Sequence, residues 1–252
     1  MKAAIITVAG ISSRFNEGIP EQNKELKAIY PKEDREATLL HHLLEKCSFA
    51  DRIAVVGGYK FGELKAYCEA LEPEYRNKIT LVENTHYSDL ASGYSLYLGL
   101  AEVLREDVSE VLFIEGDLDV DDASFHAVVN AEKSVLTYTF EPIYANKAVV
   151  LYQNADGEYR YAFNSSHGLL SIDEPFSCIL NSGQTWKFTD IDALRKANER
   201  FFAEDKGGTN LIIVRNYLEL APEVELVGLH RWTNCNTRED YRKIRKYWED
   251  EK

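Results

Sequence analysis

Apolar residues run without interruption through "AAIITV" at residues 3–8, a run too short for an ordinary helix and without amphipathic spacing, so it predicts a strand buried on both faces. Leucines at 39, 40, 43 and 44 within "ATLLHHLLEKC" (37–47) follow the spacing of an amphipathic helix. The alternation then repeats. "RIAVVGG" (52–58) reads as a strand, "KFGELKAYCEALE" (60–72) as a helix and "KITLVEN" (78–84) as a strand. "SGYSLYLGLAEVLRE" (92–106) reads as a helix whose first turn is small and hydroxyl-bearing, and "EVLFIEGD" (110–117) as a fourth strand. Strand and helix units in this order imply parallel strands joined by right-handed crossovers.

Beyond about residue 125 the pattern changes. "SVLTYTF", "NKAVVLYQ", "EYRYAF" and "GLLSID" are short and aromatic-rich, and Asp156-Gly157 marks a hairpin turn. These segments predict a small β-rich insertion or lid. Helical spacing returns at 190–205 and 210–221, a strand follows at 224–230, and "NTREDY" opens a charged terminal helix with an N-cap signal. The expected class is α/β: a mixed, mostly parallel sheet flanked by helices, in one domain over 1–252 with parts at 1–125, 126–232 and 233–252. No internal repeat or low-complexity linker interrupts it.

Composition narrows the function. Lys plus Arg number 29 against 42 Asp plus Glu, a formal charge of −13, which disfavours nucleic acid as a partner. A few local cations and a divalent metal can still reverse the sign within one pocket, so a phosphorylated small substrate stays open. Cys47, Cys68, Cys178 and Cys235 stand far apart with no C-x-x-C pair, which argues against a zinc site or disulfide scaffold and fits reduced thiols in the cytoplasm. No stretch approaches the roughly 18 to 20 apolar residues of a membrane span.

Three stretches hold candidate chemistry. In "VAGISSRF" (8–15), a turn of Ala9, Gly10, Ser12 and Ser13 after the first strand lets N–H groups and hydroxyls approach an anion, with Arg14 and Lys24 as charges for a triphosphate. It matches neither G-x-G-x-x-G nor the P-loop, and a plain packing turn is the competing reading. In "EGDLDVDD" (115–122), Asp117 at a strand end is placed to hold magnesium, with Asp119 second and Asp121 and Asp122 as helix caps. A solvated acidic loop is the alternative. In "TNCNTREDY" (233–241), Asn236 or Asn234 offers an amide oxygen to the same crevice, unless the stretch is only an N-cap and a surface helix.

Taken together and in this order, "AGISSRF" with "NKEL", the Asn-initiated "NTHYSDLASGYSLYLGL", "IEGD" and "NTREDY" resemble the sugar-phosphate nucleotidyltransferase superfamily. Within it the chain is most similar to the 2-aminoethylphosphonate and phosphocholine cytidylyltransferases. The resemblance covers nearly the whole chain, weakest in the middle. It implies a Rossmann-like, nucleotide-diphospho-sugar transferase fold, with 1–125 binding nucleotide, 126–232 binding acceptor, and a metal motif and helix at 233–252. It implies that Ala9, Gly10, Ser12 and Ser13 contact the nucleotide, that Arg14 and Lys24 act on its phosphates, and that Asn84, Ser92, Gly93 and Ser95 read base and ribose. Asp117 matches the Mg²⁺ ligand. Asn236 stands where the motif often carries Asp, and an amide oxygen suffices there chemically.

The implied reaction is in-line attack of an ionised phosphonate or phosphate oxygen on the α-phosphorus of CTP, releasing pyrophosphate with no covalent intermediate and no general base. His86 and His167 read as loop or surface residues. For the acceptor, Lys147 and Arg160 are candidate contacts to phosphonate or phosphate, and Asp156 and Asp119 are candidate acidic contacts. The texture of the sequence favours 2-aminoethylphosphonate over phosphocholine or phosphoethanolamine. Two other classes stay open: a GT-A glycosyltransferase, which also places a D-x-D such as Asp117-Leu118-Asp119 at a strand end, and a non-catalytic nucleotide-binding module. The charged ending "KYWEDEK" is compatible with fusion to, or partnership with, another pathway enzyme.

Overall fold

In the computed structural model of the chain, residues 1–144, 149–163 and 169–250 are described. The elements run β1 (Lys2–Thr7), α1 (Leu39–Lys46), β2 (Arg52–Gly57), α2 (Phe61–Glu69), α3 (Pro73–Arg76), β3 (Ile79–Glu83), α4 (Ser92–Val103) and β4 (Glu110–Glu115). Then come β5 (Leu118–Val120), α5 (Asp122–Asn130), β6 (Ser134–Thr139), β7 (Val149–Asn154), β8 (Tyr159–Phe163) and β9 (Phe176–Phe188). The remainder is α6 (Ile191–Glu204), α7 (Asn210–Leu220), β10 (Val224–Leu229), β11 (Trp232–Asn234) and α8 (Arg238–Asp250).

The main sheet has the order β10-β6-β9-β4-β1-β2-β3. β4, β1, β2 and β3 are parallel neighbours, as the alternating pattern predicts, and β10 is parallel to β6. Only β9 runs antiparallel in the main path, between β4 and β6. The order reverses direction at β1 and β4, and in open sheets ligands bind at such a switch point, beyond the strands' carboxyl ends.

Strand alternation divides the core in two. Ala3, Ile5, Ala54, Val56, Val111 and Phe113 pack against α4, α6 and α7. Ala4, Ile6, Ile53, Val55, Leu112 and Ile114 face α1, α2 and α5. A third, smaller cluster joins Phe15 from the loop after β1, Leu39, Cys235, Tyr241, Ile244 and Trp248. Through it, α8 holds the β1 loop in place.

The second half differs in detail from the expectation. The hairpin β7–β8 forms, with Gly157 at φ +84 in its turn, but 169–173 are not a strand. The third partner is β9, a 13-residue strand that bridges the main sheet and the hairpin. Its Asn181-Ser182-Gly183 stretch accommodates a register shift against β6 between Leu136 and Tyr138. Gln184 beside it adopts φ +50. A Cβ at Gly183 would stand 2.6 Å from both Leu229 and Thr137, so the glycine is what lets these strands approach. No described helix is long and apolar enough to cross a membrane.

Candidate functional site

A cavity of about 300 Å³ opens beyond the carboxyl ends of β1 and β4. Ala9, Gly10 and Ser12 line one side, Asn84, Ser92 and Ser95 another, and Asp117 the third, so seven of the residues singled out in the sequence meet at one place.

The loop after β1 is held by hydrogen bonds from elsewhere. Val8 N–H donates to Val56 O (2.8 Å) and Tyr59 N–H to Ala9 O (3.1 Å). Ser12 adopts φ +55, a left-handed backbone that is costly for serine and persists only where its surroundings enforce it. The enforcement comes from Asn16, 2% exposed. Its amide donates to Ser12 O (3.1 Å) and Glu25 O (2.8 Å) and accepts from Glu25 N–H (3.0 Å). Ser12 Oγ in turn accepts from Lys27 N–H (3.3 Å). This clamp lays the 24–27 segment along the loop.

Consequently Lys27, and not Lys24, extends into the cavity, where its Nζ lies 2.9 Å from Asp117 Oδ2. Lys24 pairs with Glu21 at 2.6 Å and lines a separate cleft with Lys32 and Arg238. Ser13 and Arg14 are exposed and do not line the cavity.

Asn84 is 1% exposed and its amide is already used: Nδ2 donates to Ser95 Oγ (2.9 Å), and Oδ1 accepts from His86 N–H (2.8 Å). Gly93 does not line the cavity. A Cβ there would stand 2.5 Å from Gly208 O and 2.6 Å from the Phe201 ring, so its small size serves the contact between the start of α4 and the 205–210 loop.

At the end of β4, Asp117 Oδ1 is buried and has no hydrogen-bond partner, although most buried polar atoms have one. Glu115 also lines the cavity. Burial, then the Asp117 carboxylate, push its pKa up to about 7, against the Asn210 hydrogen bond and the Lys27 charge, which lower it. Cys235 N–H donates to Asp117 O (2.8 Å), which brings the 234–236 turn to this strand end. Thr237 and Asp240 cap α8 reciprocally: Thr237 N–H donates to Asp240 Oδ2 (2.8 Å) and Asp240 N–H to Thr237 Oγ1 (3.2 Å). Asn236 N–H joins the same carboxylate at 3.1 Å. The N-cap predicted for this stretch is therefore present, with Asn236 one residue ahead of it.

The bare Asp117 carboxylate oxygen is a hard-oxygen donor, whereas Asn234 and Asn236 do not line the cavity. Magnesium is held by one or two carboxylates plus substrate phosphates. Asp117 fits such an ion as one of its ligands.

The acceptor candidates are not brought together. Asp119 is 2% exposed and its carboxylate is fully engaged by Arg231 and by Trp248 Nε1–H (3.0 Å). It anchors α8, and Asp117-Leu118-Asp119 does not present two carboxylates to one cavity. Arg160 is held by Glu158 (2.9 Å) and Glu174 (2.8 Å) beside another cleft, on the β7–β8 hairpin. Asp156 is exposed in the hairpin turn, and Lys147 lies outside the described residues. Asp121 caps α5 as expected, accepting from Ser124 N–H (2.9 Å). His86 bonds Asp89 (2.9 Å) at the surface.

Sequence reasoning missed Lys27, Glu115 and Asn210. Lys27 had no signal apart from lying three residues after Lys24. Glu115 had one: it is two residues before Asp117, and alternate positions at a strand end share a face.

The architecture is that of nucleotidyltransferase-like Rossmann folds. The inositol-1-phosphate CTP transferase from T. maritima superposes over 98% of this chain and 95% of its own, with TM-score 0.65 and 14% identity. CTP:phosphocholine cytidylyltransferase from Streptococcus pneumoniae superposes over 98% and 99%, with TM-score 0.62 and 15% identity. UDP-glucose pyrophosphorylase complexed with UDP-glucose does so over 100% of both chains, with TM-score 0.68 and 13% identity. At these identities the likeness is one of fold. Among curated proteins none matches this sequence. The model of one family, described as "Domain of unknown function (DUF6564)", matches residues 23–248, and the chain belongs to that family.

Proposed function

We propose that this chain is a CTP-dependent nucleotidyltransferase that transfers CMP to a small phosphonate or phosphate acceptor, 2-aminoethylphosphonate in preference to phosphocholine or phosphoethanolamine. The observation that carries the reading is the Lys27–Asp117 pair, 2.9 Å apart, in one cavity with the Ala9-Gly10-Ser12 loop. One cation, one carboxylate with a bare oxygen, and a set of loop N–H groups are the parts that phosphoryl chemistry needs. The CTP-using proteins among those of similar fold support the choice of nucleotide, and the sequence resemblance supports the acceptor.

In this reading the β1 loop and Ser12 hold the nucleotide phosphates, and Asn84, Ser92 and Ser95 line the base and ribose end. Lys27 leaves Asp117 and neutralises the charge that develops between the α-phosphate and the departing pyrophosphate. Arg14 and Lys24 flank Lys27 on the two adjacent segments and add charge toward the outer phosphates. Asp117, with Asn236 as the second ligand the sequence suggests, would hold magnesium, which would supply Lewis-acid neutralisation of the phosphates when bound. The acceptor oxygen is ionised at neutral pH, so no side chain is required as a general base. Activity in a compartment of reduced thiols suits the four free cysteines.

Pyrophosphate release from CTP, measured side by side with the three acceptors, tests the proposal. Release with 2-aminoethylphosphonate is expected to be fastest. A faster rate with phosphocholine would remove the acceptor assignment and leave nucleotidyl transfer standing.

A further inference from the structure

We infer that Glu115 sets acceptor specificity by receiving a primary ammonium group carried on the acceptor. The inference rests on the nucleotidyl-transfer reading of the same cavity. It begins with charge. Among the described residues that line the cavity, Glu115 and Asp117 are the carboxylates and Lys27 is the cation. Lys27 is engaged by Asp117, and the partner of Glu115 is neutral: Asn210 Nδ2 donates to its Oε1 at 2.7 Å. A secluded carboxylate without a cation is costly to a fold, and a ligand bearing a positive charge is its complement.

The carboxylate is also held rigidly, as a recognition group must be. Asn210 is 3% exposed and starts α7. Its side chain accepts from Ser92 Oγ (3.2 Å), and its backbone N–H donates to the same hydroxyl (3.3 Å). Glu115 thus faces a fixed amide across the seam between the β1–β4 half and the α7 half.

The surroundings choose the kind of cation. A primary ammonium donates three hydrogen bonds and suits oxygens; a quaternary one donates none and is held by aromatic faces. Tyr87 is the one aromatic residue among those lining the cavity. Two residues separate Glu115 from Asp117, so an acceptor that reaches both the amine site and the reacting phosphates is short. The chemical class is a small ω-amino phosphonate or phosphate.

The test pairs 2-aminoethylphosphonate with ethylphosphonate, which lacks the amine, on the wild type and on Glu115→Gln, a change that keeps shape and the Asn210 hydrogen bond. Wild-type kcat/KM is expected to favour the amine by roughly 10²- to 10³-fold. In Glu115→Gln that preference shrinks at least about tenfold, chiefly through KM for the amine, with CTP affinity retained by calorimetry. An equal loss on both acceptors, or a loss of CTP or Mg²⁺ affinity, overturns the assignment. If neither acceptor yields pyrophosphate, the nucleotidyl-transfer reading fails, and calorimetry of 2-aminoethylphosphonate alone decides Glu115. Weaker binding to the variant then supports the assignment, and equal binding overturns it.

Discussion

Lys27 Nζ lies 2.9 Å from Asp117 Oδ2 although 90 residues separate the two in the chain. The pair joins the segment clamped under the β1 loop to the end of β4, and both side chains are partly buried, at 15% and 25% exposure. Each neutralises the other until a charged ligand arrives. In the proposed reaction an incoming triphosphate would compete for the lysine, and the released carboxylate would become available to a metal. On that proposal the two charges would separate along with substrate binding, each having neutralised the other in the empty site.

Lys27→Met removes the cation that faces the cavity. We expect kcat/KM for cytidylyl transfer to fall roughly 10²- to 10³-fold, the scale of losing one charge-stabilising donor. Lys24→Met should raise KM for CTP with a lesser effect on kcat, because Lys24 pairs with Glu21 outside the cavity. Steady-state kinetics on the two variants separate these roles.

Asp117→Asn keeps the shape of the side chain and removes its charge. The expected outcome is a large rise in the Mg²⁺ concentration needed for half-maximal rate, read from a magnesium titration at saturating CTP. With Asn236 as the proposed second ligand, Asn236→Asp should shift the same midpoint downward, since it adds a charge to the metal's donor set.

Asp119→Asn leaves Arg231 facing a neutral partner inside the protein. Breaking a buried pair in this way costs about 3–5 kcal/mol, measurable as a shift of the urea midpoint. The ratio of rates on different acceptors should not change, because Asp119 is engaged by Arg231 and Trp248 and does not line the cavity.

Gly93→Ala would bring a methyl group to 2.5 Å from Gly208 O, a backbone atom that cannot swing aside. Overpacking of this sort costs about 1–3 kcal/mol. It should lower the melting temperature and weaken CTP binding together, since Ser92 at the head of the same helix lines the cavity.

The β1–β4 half was legible because its strands are unbroken apolar runs and its helices carry regular leucine spacing. The same reasoning singled out the β1 loop and Asp117, which line one cavity, and the cap of α8, because each stands at the end of a strand or the start of a helix that the pattern predicts. It failed where local signals compete. The strand β9 was not read at all, because Asn181-Ser182-Gly183 interrupts its apolar pattern and only tertiary pairing on both sides extends it. β5 and β11 pair over three residues each, too few for any periodicity to show. Lys24 and Lys27 are equivalent as sequence, and only the Asn16 clamp on Ser12 and Glu25 decides which one enters the cavity. Asp119 looked like a ligand because D-x-D at a strand end suggests one, while the arginine and tryptophan that occupy it lie more than a hundred residues away.

Phosphorus-31 NMR of a mixture of the protein, Mg²⁺, CTP and 2-aminoethylphosphonate tests the central claim most directly. The account predicts equimolar growth of pyrophosphate and of a new phosphonate–phosphate anhydride, as the CTP and free phosphonate signals decline. CTP and phosphonate signals that stay unchanged while CTP binds, or CTP consumption without the anhydride, would contradict it.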